Sequence, residues 1–140
     1  MTDVHDIETR SFNMSMIKGK NTKPEIVVRK FLFQNGFRYR LYHSKLPGKP
    51  DIVLPKYKTV IFVNGCFWHG HEGCKYYVVP KTRTKWWLNK INETKKRDKT
   101  KAVKLKELGW KIQVIWECEL KPVNVEETLN DLLFKLMEEN

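Results

Sequence analysis

The 140-residue chain carries 27 Lys and Arg against 16 Asp and Glu, a formal net charge of +11. With 41% apolar residues it holds the material for one core and too little length for two, so residues 1–140 read as a single domain. The charge favours a polyanion, nucleic acid first, over an acidic small molecule as partner. No apolar run approaches the roughly 20 residues that cross a bilayer, and "MTDVHDIETRSFN" lacks the apolar centre of a signal peptide, so the expectation is a cytoplasmic protein with no membrane contact.

Residues 1–20 are polar and irregular, with an apolar group at Met14, Met16 and Ile17. In "NTKPE", Asn21 or Thr22 suits an N-cap and Pro24 a first turn; Ile26, Val27, Phe31 and Leu32 supply an apolar face until Gly36, which predicts a helix over 23–35. Three strand-like runs follow at 37–42, 51–54 and 59–63, with "PKYK" turning between the last two. A second helix is expected over 84–108, ending before Gly109, and a further strand over 110–118. The C-terminal segment 121–140 carries a closing amphipathic helix over 124–138, with Leu129, Leu132, Leu133 and Leu136 on one side. The order α–β–β–β–α–β–α implies a mixed sheet flanked by helices, an α/β fold.

Charge is concentrated on the second helix. From Lys81 to Lys111 there are twelve Lys and Arg and three acids, Glu93, Asp98 and Glu107. Such a run follows a phosphate backbone well, although a solvated lysine-rich face has the same composition.

The densest chemistry lies in "NGCFWHGHEGC", residues 64–74. Three cysteines cannot all pair within the chain, and a reducing compartment turns them towards thiolate or metal chemistry. Cys66, His71 and Cys74 stand as C-x4-H-x2-C, and Cys118 at the end of the last predicted strand is the natural fourth ligand for a closed, structural Zn²⁺. Spacing alone permits His69 in place of His71, and whichever is left over is available for acid–base work near neutral pH.

Asp51 opens a strand beside the end of the strand that finishes at Val63. A carboxylate there suits a divalent cation held with a backbone carbonyl and waters, while Pro-Asp is also ordinary turn chemistry. Asp98 is seven residues from both Ile91 and Leu105 and on the line of Trp87, so it points inwards with the apolar stripe. An inward acid either orients an imidazole or pairs with a nearby Lys or Arg. Glu25, in a first helical turn, is accounted for by the helix dipole. Phe67 and Trp68 on a loop, and Trp86 and Trp87 among cations, serve either as core or as wedges that enter between base steps.

Together "TRSFNMSMI", "TKPE", "LPGKPDIV", "VIFVNGCFWHGHEGC", "TRTKWWLNKI", "RD" and "ELGWKIQVIWEC" resemble the very-short-patch repair (Vsr) DNA mismatch endonucleases, from about residue 3 to residue 120. The resemblance implies a restriction-endonuclease-like domain with structural Zn²⁺ and a catalytic Mg²⁺. It implies nicking of one strand of double-stranded DNA on the 5′ side of the T in a T·G mismatch, the product of 5-methylcytosine deamination. Residue by residue it makes Asp51 the Mg²⁺ carboxylate, the Val63 carbonyl a second ligand, His69 the catalytic histidine, Asp98 its supporting acid and Glu25 a further active-site acid. It assigns Cys66, His71, Cys74 and Cys118 to zinc, Phe67, Trp68 and Trp87 to the wedge at the mismatch, and Met14 to an N-terminal arm that contacts DNA. Two departures stand out. Position 64, a catalytic histidine in the family pattern, is Asn64, whose amide orients a water or phosphate but shuttles no proton; and "HEGC" is one residue longer before its cysteine. The expected setting is a monomer at the nucleoid, alongside mismatch-repair proteins and a cognate cytosine-5 methyltransferase. The competing expectations are a non-catalytic, zinc-stabilised DNA-binding module and a nuclease of the same fold that cuts matched sites.

Overall fold

A computed structural model describes residues 22–43 and 45–138. Met14 and the N-terminal arm lie outside the described residues. Helix α1 (Lys23–Gln34) starts at Thr22, whose hydroxyl accepts the Glu25 N–H at 3.4 Å, with Pro24 in the first turn. Its end is set by Gly36 at φ +85°, a left-handed turn that lets the Phe37 N–H reach back to the Leu32 carbonyl at 2.9 Å.

The sheet order is β1 (Arg40–Leu41), β2 (Ile52–Leu54), β3 (Thr59–Asn64), β4 (Lys111–Trp116), with β1–β2 and β2–β3 antiparallel and β3–β4 parallel. Helix α2 (Thr84–Glu107) belongs to the β3–β4 crossover that a parallel pair requires, and α3 (Val125–Glu138) closes the chain. The mixed sheet flanked by helices is the architecture expected, but three elements differ in extent. The first strand shrinks from 37–42 to two residues because β2 offers only three to pair with, and Tyr42 then turns to a positive φ of 47°. The "PKYK" turn is a 3₁₀ turn over Pro55–Tyr57 that ends on Lys58 at φ +50°. The last strand stops at Trp116 and passes into a second 3₁₀ turn, Glu117–Leu120, so Cys118 stands on that turn and not on the strand. The Glu119 carboxylate takes the Trp116 N–H at 2.9 Å and fixes the break.

Alternation along β2 and β3 divides the core between the two faces of the sheet. Ile52, Leu54 and Ile61 pack with Val28 and Leu32 of α1 and with Leu129, Leu132 and Leu136 of α3. Val53 and Val60 pack with Leu105 of α2 on the other face. Both faces are covered, so β2 is buried at every residue. By the same alternation Asp51 and Asn64, one residue outside β2 and at the end of β3, fall on the α2 face. Among the described residues, no helix is long and apolar enough to cross a membrane.

Candidate active site and metal cluster

Where β3 ends, the chain winds into a compact loop. The His69 N–H donates to the Gly65 carbonyl (3.2 Å), Gly70 to Phe67 (3.1 Å), His71 to Cys66 (2.9 Å) and Cys74 to His71 (3.3 Å). Gly70 has φ +61°, and a Cβ there would stand 2.8 Å from Ile91 Cγ2 and 2.4 Å from Lys95 Cε, so the loop lies directly on α2. The positive φ and the missing side chain place His69 and His71 on separate sides of one turn.

On one side are Cys66, His71, Cys74 and Cys118, with one ligand atom from each and all four within 4.8 Å of one another. Around one tetrahedral zinc, thiolate and imidazole atoms stand roughly 3.5–4 Å apart, so the group could hold that ion after a small contraction. Cys118 Sγ is 3.5 Å from His71 Nδ1, which marks Nδ1 as the ligand atom. Backbone N–H groups of Cys118 and Tyr76 point at Cys66 Sγ and Cys74 Sγ, each at 3.4 Å, and favour thiolates. Without a cation, burial pushes the Cys66 thiol up to about 12, so metal must displace a tightly held proton. The Trp116 ring lies flat on His71, with centroids 4.1 Å apart and planes within 4°. Sequence reasoning missed this residue; its only signal was an aromatic two positions before a candidate ligand.

On the other side is His69. Its Nδ1 is 2.7 Å from Asp98 Oδ2, with the two side chains 23% and 30% exposed. A carboxylate accepts only, so Nδ1 carries the proton and Nε2 of the neutral ring is left as an acceptor. Both contacts open to Asp98 are present: Oδ2 meets the His69 imidazole, and Oδ1 forms a longer ion pair with Lys101 Nζ at 3.8 Å.

Asp51 lies just before β2, and its Oδ2 accepts the Val63 N–H at 2.7 Å. In a strand the N–H and C=O of one residue point to the same edge, so the Val63 carbonyl also faces the Asp51 side, beyond the Ile52–Ile61 pair where β2–β3 pairing begins. Burial, with a further contribution from the Glu25 charge, pushes the Asp51 carboxyl up to about 6 against the Val63 hydrogen bond and the charges of His69 and Lys101. Glu25 is 3% exposed. Its carboxylate is not a cap: it takes Arg29 Nη2 at 2.9 Å and the Tyr42 hydroxyl, which Arg29 also meets at 2.6 Å. Dipole stabilisation does not account for an acid so enclosed, and Tyr42 and Arg29 are a network that spacing did not reveal. Two neighbouring carboxylates in low dielectric are a donor set that suits a hard divalent cation. Asn64 is buried at the end of β3 and in register with Trp116.

Phe67, Trp68 and Trp87 form a three-ring group, with centroids 5.2, 5.3 and 5.8 Å apart, and Trp86 adds an edge contact to Trp87 at 4.8 Å. The three are half-buried, each shielding the others, while Trp86 is exposed under Arg83 and Lys90. The loop and α2 thus present an aromatic edge flanked by cations next to His69.

Residues 2–75 match the family described as DNA mismatch endonuclease Vsr. The chain is 50% identical over 134 residues to the type II nicking enzyme V.NmeAIP of Neisseria meningitidis, covering 95% of each chain. It is 43% identical to the type II nicking enzyme V.XorIIP of Xanthomonas oryzae, over 95% of this chain and 98% of that one. With the DNA mismatch endonuclease Vsr of Escherichia coli it shares 44% identity over 121 residues, 86% of this chain and 77% of the relative. The chain therefore belongs to the Vsr family of endonucleases, with the restriction-endonuclease-like fold of that family.

Proposed function

We propose that the protein acts on double-stranded DNA as a Mg²⁺-dependent nickase, cutting one strand on the 5′ side of the T in a T·G mismatch. The observation that carries this reading is the His69–Asp98 pair at 2.7 Å beside a carboxylate, Asp51, whose burial disfavours its charge. Asp51 and the Val63 carbonyl are the residues that would hold Mg²⁺, which when bound supplies Lewis-acid stabilisation of charge on the phosphate. Cys66, His71, Cys74 and Cys118 would hold the structural Zn²⁺.

His69 does the proton work. With Nδ1–H donated to Asp98, Nε2 accepts a proton from the attacking water or, once charged, returns one to the leaving oxygen. Asp98 holds the tautomer and offsets the charge of the imidazolium. Asn64 holds a water or a phosphate oxygen through its amide. Glu25, bonded to Arg29 and Tyr42, adds negative charge that strengthens the demand for a cation next to Asp51. Phe67, Trp68 and Trp87 enter beside the mismatch, where unstacking costs less than at a matched pair, and the cations of α2 supply affinity without sequence. Repair after 5-methylcytosine deamination would place the enzyme at the nucleoid with a cognate cytosine-5 methyltransferase and mismatch-repair proteins.

The test is a nicking assay on T·G and T·A duplexes of one sequence with Mg²⁺. The reading requires T·G nicking 5′ of the T, lost in Asp51→Ala and His69→Ala. Equal cutting of T·A makes the protein a nuclease of matched sites, and undiminished cutting by either variant removes the site assignment.

A further inference from the structure

We infer that Lys101 is a further catalytic residue, its ammonium contacting the phosphate that is cut. The inference rests on the nuclease reading above. Helix α2 is lysine-rich, and Lys85, Lys90, Lys96, Lys99, Lys104 and Lys106 are exposed, while Lys95, its side chain 31% exposed, is spent on Glu72 at 3.2 Å. Lys101 is turned in, its side chain 33% exposed beside Asp98. A lysine gives up hydration only for a reason.

Asp98 supplies that reason only in part, as a long ion pair. Its Oδ2 is committed to His69 at 2.7 Å, and its Oδ1 stands 3.8 Å from Lys101 Nζ, past hydrogen-bond reach, so the three N–H donors are not spent on it. The stem of Lys101 runs through a slot that only a glycine opens. A Cβ on Gly48 would stand 2.5 Å from Lys101 Cδ and 2.6 Å from Cγ. The turn that leads into Asp51 thus wraps the stem, and the charge of Lys101 acts on Asp51.

A phosphodiester that reaches both Asp51 and His69 brings negative charge to a place that already holds Asp51, Asp98 and Glu25. Asn64 adds no charge there. Lys101 brings a fixed positive charge, with free donors, to bear on both Asp51 and Asp98. In hydrolysis the water oxygen forms the new P–O bond, one ester P–O bond breaks, and the protons of water pass to a base and to the leaving oxygen. Lys101 keeps its own proton and donates hydrogen bonds to a non-bridging oxygen as charge builds on it.

Lys101→Met keeps the stem that fills the Gly48 slot and removes the charge; Lys101→Arg restores a cation. On a T·G duplex with Mg²⁺, Lys101→Met lowers the single-turnover rate on the order of a hundredfold with an unchanged melting temperature, and Lys101→Arg recovers part of the loss. Binding read without Mg²⁺ is independent of cutting. A neutral methylphosphonate at the phosphate 5′ of the mismatched T weakens wild type about tenfold and scarcely affects Lys101→Met. Equal losses in the two proteins, or a Lys101→Met rate within about twofold of wild type where ordinary enzymes lose far more, overturn the inference. If wild type binds the T·G duplex but nicks none, the nuclease reading falls while the methylphosphonate comparison still decides Lys101.

Discussion

Asp98→Asn probes the His69 site with the smallest change of shape. The amide matches the carboxylate in size and occupies the same place on α2, 2.7 Å from His69 Nδ1. It differs in offering an N–H₂ group that can face Nδ1, which favours the tautomer with its proton on Nε2, the one that cannot accept from water. It also removes the negative charge that stabilises an imidazolium. Both partners keep about a quarter of their surface in water, so the full Coulomb value does not apply; a charge-assisted hydrogen bond of this kind is worth about 1.5–3 kcal/mol. At about 1.4 kcal/mol per decade, the nicking rate should fall some 10- to 150-fold. The assay is single-turnover cleavage of a T·G duplex at saturating protein, with DNA affinity measured separately. Affinity should hold, because Asp98 faces His69 and not the duplex. A rate within about twofold of wild type would show that the His69–Asp98 bond is not used in the reaction, since even the lower bound above is tenfold.

The raised Asp51 pKa means the folded protein binds this proton more tightly than the unfolded chain. Its contribution to stability is full below about pH 3.8 and lost as pH rises through about 6; zinc-loaded, Mg²⁺-free protein should lose about 1.4 kcal/mol between pH 5 and pH 8 from this group alone, a difference that Asp51→Asn abolishes in urea unfolding. Mg²⁺-dependent nicking should fall as pH drops through about 6, where protonation of Asp51 competes with the cation. Metal analysis should find one zinc per chain, absent from Cys66→Ser, whose melting temperature should drop by more than about 10 °C, given several kcal/mol of lost metal binding. Trp87→Ala breaks the three-ring group at a half-buried position and should lower the T·G to T·A nicking ratio by about tenfold, the scale of one lost stacking contact. Gly70→Ala should cost about 1–3 kcal/mol by thermal unfolding, from the positive φ and the contact with Ile91.

Much of the fold was legible because its signals are local. Thr22 and Pro24 mark the start of α1, Gly36 its end, and Leu129, Leu132 and Leu136 the buried side of α3; periodicity and capping depend on near neighbours only. Strand extents were not. Residues 37–42 have the alternation of a strand, yet a strand is as long as its partner allows, and β2 pairs with only two of them. Cys118 was assigned to a strand end because nothing in "VIWEC" announces that the Glu119 carboxylate will cap the break.

The site divides along the same line. Seven-residue spacing turns Asp98 inward whatever lies opposite, and C-x4-H-x2-C brings its ligands close whatever the fold, so these belonged to the sequence. Which histidine meets Asp98 and which joins the cysteines depends on Gly70 lying flat on Ile91, a contact across 21 residues of chain. That Glu25 is enclosed by Arg29 and Tyr42, and that Lys101 threads beneath Gly48, likewise depended on how α1 and α2 dock on the sheet. Charge and spacing travel along the chain. Desolvation and close approach exist only between elements that packing has brought together.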